Sequence, residues 1–397
     1  MFIFLCELRR SVSAGIQVAS LLCVLSFVLP AQSSLAASIE DHYYGATLFV
    51  VPTGNPVSPP IGVNSLVEYV NVYGQVAGPN VDHGYQAARL FFANGGETLY
   101  VIDPQGTQAQ DFADALAASV ELPVDLVAIP GAACCSGSII QHAAIMSALS
   151  EHAATSPNRF ALIDAPLGSD STELQNYRTA FSSENSAIYA PWLTMEGQTP
   201  GTTISVAPSS AVAGVISRID RDDGIHTSPA GSIADLKVPP VVAVAREFSM
   251  NERGDLNAAN VNLLGNFFSQ LTVHVWGVRT TSDAGSTKYV AVSRLVRHLE
   301  FSIDTSLAGS LNGPPSSADV SATESLINDY LYSYWVQGAF AGATSSNSYF
   351  VNCEIVVAGL HCTVGVAALK PAEFQVFQLD IPFSLDIFES GFEASAQ

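Results

Sequence analysis

Between Ala46 and Gly224 strand-like and helix-like segments alternate, with turn residues between them, and this alternation constrains the fold more than any other feature. "ATLFVV" reads as a strand, "HGYQAARLFFANGG" as an amphipathic helix closed by Asn94, Gly95 and Gly96, and "TLYVID" as the next strand. "TQAQDFADALAASV" follows as helix, "VDLVAIPG" as strand, "SGSIIQHAAIMSALSEHA" as helix and "RFALIDAP" as strand. A polar helix near Thr172–Phe181, a strand "SAIYAPWLTM" and a small-residue helix "SSAVAGVISRID" complete the run. The expected fold class is α/β: an open sheet carrying helices on its faces.

From Asp222 to Asn260 the periodicity fails, and the stretch reads as a long connection. An α+β unit is expected beyond it. "LTVHVWGVRT" is its first strand, and "YVAVSRLVRHLEFSI" becomes helical with Leu295, Leu299 and Ile303 on one face. Ser321 and Glu324 have capping-box spacing for a helix carrying Ile327, Tyr330, Leu331, Tyr334 and Trp335. A hairpin, "SYFVNCEIVVAGLHCTVGVAAL", precedes a terminal strand. The expected organisation is a leader over residues 1–36, an outer domain over 46–245, an inner domain over 250–381 and a tail over 382–397.

That terminal strand, "KPAEFQVFQLDIPF", changes sidedness along its length. Phe374 and Val376 point one way and Phe377, Leu379 and Ile381 the other, but past Phe377 one face carries Gln378 and Asp380. Pro382 then removes a backbone donor. A one-sided strand at the end of a chain is a candidate for pairing with another molecule.

Composition narrows the partners. Thirty-six acidic residues against fifteen basic ones give a formal charge of -21, and the only lysines are Lys237, Lys288 and Lys370. Phosphate backbones and anionic membranes are disfavoured by that sign, so no nucleic-acid partner is expected. Charged residues make up 13% of the chain, about half the usual share.

Arg9 and Arg10, the apolar run Val18–Leu29, Pro30 and "SSLAAS" read as an export signal with cleavage after Ala36 or Ala37. Cys6 and Cys23 would leave with it. Cys134 and Cys135 are adjacent, and Cys353 and Cys362 flank "EIVVAGLH", which reads as two short strands around a turn. If that hairpin forms, an oxidising compartment would let the pair bond. Neither pair has metal-ligand spacing and the eight histidines are scattered, so no metal and no cofactor are expected.

Strand ends at Asp103, at Pro130–Cys135 and at Asp164 mark the carboxyl edge where open sheets bind ligands. A hydrolase could be drawn from Asp164, Cys134 or Cys135 and His142, but aspartate at a strand end more often caps the following turn. Ser209 and Ser210 sit in a helix like that of subtilisin-type proteases, without a G-x-S-x-G elbow or a partner histidine. GxGxxG and GxxxxGK[ST] are absent, so no nucleotide site is supported. Trp276 and Arg279 form either an exposed recognition pair or a core tryptophan beside a strand-end arginine.

Several stretches resemble contractile tail sheath proteins of phages and related injection machines: "FFANGGETLYVID", "RFALIDAPLG", "APSSAVAGVISRIDRDDGIHTSPAG", "VHVWGVRTTS", "KYVAVSRL", "GAFAGAT", "SYFVNC" and "VGVAALKPAEFQVFQ". The resemblance implies a non-catalytic subtilisin-like outer domain, an inner domain that packs on a tail tube, and subunits joined in stacked rings through shared terminal strands. It makes Phe374, Val376, Phe377, Leu379 and Ile381 the assembly strand, finishing its own sheet and offering its later part to a neighbour. Trp276, Arg279, Lys370 and Glu373, within matching stretches, become interface candidates. Only "SIEDHYYG" precedes the first strand where the family has an arm, and an export leader is foreign to a particle built inside the cell. The alternatives are an exported binding protein that keeps the fold without polymerising, and an exported hydrolase.

Overall fold

The computed structural model describes residues 38–382 apart from 43, 77–80, 132–137, 198–200, 238–240, 268–271, 284–286, 309, 311–313, 358 and 370–373; for Val242 and residues 374–382 it describes backbone alone. The expected leader and its cleavage site at Ala36 and Ala37, the pair Cys134 and Cys135, Lys370, Glu373 and the tail from residue 383 lie outside the described residues.

The first half builds a wound sheet. Strands β1 (Thr47–Val50), β2 (Leu99–Ile102), β3 (Leu126–Ala128), β4 (Phe160–Asp164) and β5 (Ser186–Ala190) alternate with helices α1 (Leu66–Tyr73), α2 (His83–Ala93), α3 (Ala109–Ala117), α4 (Ile139–Thr155) and α5 (Ser171–Arg178). Next come β6 (Leu193–Glu196), β7 (Thr203–Val206), α6 (Pro208–Asp223), β8 (Val241–Val244), α7 (Met250–Ala258), β9 (Val261–Gly265) and β10 (His274–Trp276). The main sheet runs β10-β9-β5-β4-β3-β1-β2, parallel except for β10 against β9. Strands covered on both sides must be apolar throughout, and β4, β5 and β9 are buried along their whole length. Alternation splits β1 between two cores. Phe49 packs with Leu90, Phe91 and Val212 of α2 and α6, whereas Leu48 and Val50 pack with Phe112, Ile145 and Leu149 of α3 and α4.

Three expectations need correcting here. The stretch 261–276, assigned to the inner domain, instead completes this sheet, because Val261, Leu263 and Leu264 supply the two-sided apolar strand that β5 needs beside it. "SAIYAPWLTM" is two strands, since Pro191 lacks the N–H that would continue the β5 ladder; β6 turns off into a smaller sheet, β7-β6-β8. The apparent connection 222–260 contains β8 and α7. The latter was hidden because Leu256 is its one buried residue, yet it is anchored by a capping box between Ser249 and Glu252.

The last third is a separate layer. Helices α8 (Val290–Leu307) and α9 (Ser317–Val336) cover an antiparallel sheet of β11 (Tyr349–Val356), β12 (Gly359–Ala367) and β13 (Phe374–Pro382), in the order β11-β12-β13. Leu295, Leu299, Ile303 and Leu307 meet Ile327, Leu331 and Tyr334, and both rows rest on Leu360, Cys362, Val364 and Val366. The cap of α9 is Ser316 with Asp319, five residues before the Ser321 and Glu324 box expected from spacing; Ser321 lies inside the helix.

Candidate functional site

The terminal sheet holds the expected assembly strand, and its register is complete. β12 is nine residues long, and every residue of β13 from Phe374 to Pro382 has a partner in it, from Ala367 back to Gly359. The expectation that the later part of the terminal strand is left over for another subunit is therefore corrected: Gln378 to Ile381 pair with Thr363 to Leu360 of their own chain. What β13 has unclaimed is its other edge, since no described strand pairs there. On the opposite side of β12, Cys353 faces Cys362 with Cα atoms 4.1 Å apart and the two are joined in a disulfide. Glu324 reaches this hairpin from α9, and its carboxylate accepts the Cys353 N–H at 2.9 Å.

Residues 38–42, 44 and 45, which stand where the family has an arm, are tied down as a strap along α8. The Glu40 N–H donates to Ser306 Oγ (3.0 Å) and the His42 N–H to Ser302 Oγ (3.3 Å), while Ile39 enters the third core. Asp41 Oδ1 is the latch: it accepts the hydroxyls of Tyr330 and Tyr334, both at 2.7 Å, and lies 2.7 Å from Nε2 of the buried His298. Burial pushes the Asp41 carboxyl up, but the His298 and tyrosine hydrogen bonds outweigh it and hold it below the usual aspartate range. Tyr44 then meets the His298 ring edge-on, and the Gly45 N–H donates to Asp125 as the chain enters β1.

Asp125 belongs to a buried ionic knot. Arg294 of α8 binds Asp125 (2.8 Å) and Asp220 of α6 (2.5 Å), so one guanidinium joins the terminal layer to the wound sheet. Burial works against its charge, and the two carboxylates overcome that. Asp41 with its three partners and Arg294 with its two carboxylates were not found in the sequence. Asp41 is 257 to 293 residues from its partners and Arg294 is 74 and 169 residues from its own, and the helical spacing of Tyr330 and Tyr334 announces a buried face without pointing to an aspartate.

At the carboxyl edge of the sheet, Asp164 accepts the Ser209 N–H (2.8 Å) and its hydroxyl (2.7 Å), tying the end of β4 to the first turn of α6. Burial pushes this carboxyl up to about 7, against the pull of the two Ser209 hydrogen bonds. His142 approaches Asp164 only through the backbone, its Nε2 lying 3.0 Å from the carbonyl oxygen, and Tyr177 donates to the same oxygen. Serine, aspartate and histidine are adjacent here without a histidine between the other two, the order that nucleophile activation requires. Ser210 donates back to the Ala207 carbonyl. Asp103 accepts from Thr53 and the Gln105 N–H, as a turn-capping aspartate does.

Trp276 and Arg279 are engaged within the subunit. Trp276 is half-buried and its ring lies 5.4 Å from that of Phe267, which in turn carries the Arg253 guanidinium. Arg279 donates to the Asn257 carbonyl at the end of α7 (2.8 Å), and its N–H to Asn262 (2.7 Å). Exposed apolar side chains occur in both layers, among them Val67, Ile140 and Met250 beside the wound sheet and Tyr332, Val336, Ile355 and Val357 in the terminal layer.

No family model and no curated protein matches this chain. Solved structures do. The sheath of an extracellular contractile injection system, PVC, in its contracted state is 24% identical over 94% of this chain and 99% of that one, with a TM-score of 0.69. The helical sheath of the anti-feeding prophage, also contracted, is 24% identical over 92% of this chain and 100% of that one (TM-score 0.71). A sheath tail protein of Listeria innocua keeps a TM-score of 0.64 at 9% identity, over 87% of this chain and 96% of that one. Over most of its length, this chain has the fold of the contractile-injection and tail sheath proteins.

Proposed function

We propose that this protein is a structural, sheath-like subunit that associates with copies of itself by pairing strands along the edge of its terminal sheet, forming a sheath around a tube. The observation that carries this reading is the likeness to assembled sheaths over more than nine-tenths of the chain, together with a terminal strand at the edge of its sheet. Main-chain groups on a free edge supply the attraction and alternate side chains set the register. Residues 46–289 form the outer domain and 290–382 the inner one in this reading, with Trp276, Arg279, Lys370 and Glu373 as secondary interface positions.

Residues 1–36 export the protein, a reading supported by their charged, apolar and small-residue order and by the Cys353–Cys362 bond. Mass spectrometry of the mature N-terminus tests this, with Ala37 or Ser38 as the expected first residue and an intact Met1 as the contrary result. Self-association is tested by light scattering and negative-stain microscopy of the protein with and without residues 378–397. Assemblies that disappear on truncation support the proposal, and a monomer in both forms at high concentration refutes it.

A further inference from the structure

The terminal sheet has two edges, and they are not equivalent. In an antiparallel pair, residues that face each other closely without exchanging hydrogen bonds turn their N–H and C=O groups away from the partner strand. Cys353 is such a residue: its Cα lies 4.1 Å from that of Cys362, and its N–H donates to Glu324 rather than into the ladder. The Cys353 N–H therefore points to the outer edge of β11, midway along the strand, where an added strand would need it. Glu324 already occupies that position, held there by α9, whose Asn328 carbonyl also accepts the Tyr349 hydroxyl at the start of β11. A carboxylate at a strand edge is an effective stopper, because it takes up the donor and would have to be stripped of water or displaced when a second backbone approached.

We propose that Glu324 determines which edge of this sheet accepts a strand from another copy: it closes the β11 edge and leaves pairing to the β13 edge. This rests on the strand-sharing reading above. Spacing along α9 marked Glu324 as a capping residue, but Ser316 and Asp319 cap that helix, which leaves the Glu324 side chain committed to β11.

The test compares the full-length wild type with Glu324→Ala and Glu324→Gln. Alanine is favourable at a helix position, so the fold is retained, and glutamine keeps an acceptor oxygen. In dilute solution, exchange of the Cys353 amide is expected to be about fivefold faster in Glu324→Ala and near wild type in Glu324→Gln, the change that losing one hydrogen bond produces. On concentration, Glu324→Ala is expected to begin associating at a severalfold lower concentration than the other two. Unchanged Cys353 exchange in Glu324→Ala overturns the proposal, as does faster exchange with no gain in association. A wild type that stays monomeric refutes the strand-sharing function, while the difference between the variants still decides the role of Glu324.

Discussion

Single side chains in this protein are legible by type and illegible by partner. Aspartate commonly ends strands as a cap, and Asp164 does cap, but its target is Ser209, 45 residues away. Its carboxyl, pushed up to about 7 by burial, has a consequence for stability. An aspartate in the unfolded chain titrates near 4. The folded state thus holds the proton more tightly, and this stabilisation is complete below about pH 4 and is lost as pH rises through about 7. We expect urea midpoints of the wild type to fall across that window relative to Asp164→Asn, by up to about 1.4 kcal/mol per pH unit, because asparagine can satisfy Ser209 without a charge. Parallel profiles for the two proteins would refute this. Arg294 makes the opposite case. Removing it as Arg294→Met strands two buried carboxylates, and a loss of about 3–5 kcal/mol is expected in denaturant unfolding, whereas a loss below about 1 kcal/mol would show that the knot is dispensable. No pattern in the sequence announced Arg294, since it sits among the apolar residues of α8 with partners on α6 and at the start of β3.

Elements were legible where periodicity was strong and backbone groups were accounted for locally. The wound sheet and its helices follow from alternating apolar runs, and so do α8 and α9. Polar α7 and short β8 did not, because one buried leucine and four residues of strand carry too little periodic signal. The terminal strand shows a subtler limit. The change at Gln378 and Asp380 reports which face of the strand turns polar, but pairing is decided at its edges, by backbone groups that side-chain pattern does not encode. β12 is long enough to pair with all of β13, and nothing in the β13 sequence could reveal that. The strap is likewise conspicuous in the sequence only for its shortness, yet Asp41 fastens it. We expect Asp41→Ala to speed amide exchange at Glu40 and His42 severalfold, corresponding to about 1 kcal/mol, with the effect limited because Asp41 is half-exposed. Since the Asp41 carboxyl lies below its ordinary range, its contribution is present above about pH 4 and is lost as pH falls through the folded value, so wild-type exchange should approach that of Asp41→Ala in acid. A strap that exchanges identically in both proteins at neutral pH would show that the latch does not hold it.

At the scale of the molecule, the terminal layer is joined to the wound sheet through Arg294 and the strap, and its own sheet ends in a strand with one edge unclaimed among the described residues. Tyr332, Val336 and Ile355 are exposed in this same layer, where a neighbouring subunit would cover them. The likeness to assembled sheaths runs nearly end to end, so association through this layer is the central claim. Its most direct test is negative-stain microscopy of concentrated protein with and without residues 378–397. Rings or tubes in the complete protein and isolated particles in the shortened one are the predicted result. Isolated particles in both, or assemblies that persist after the strand is shortened, would contradict it.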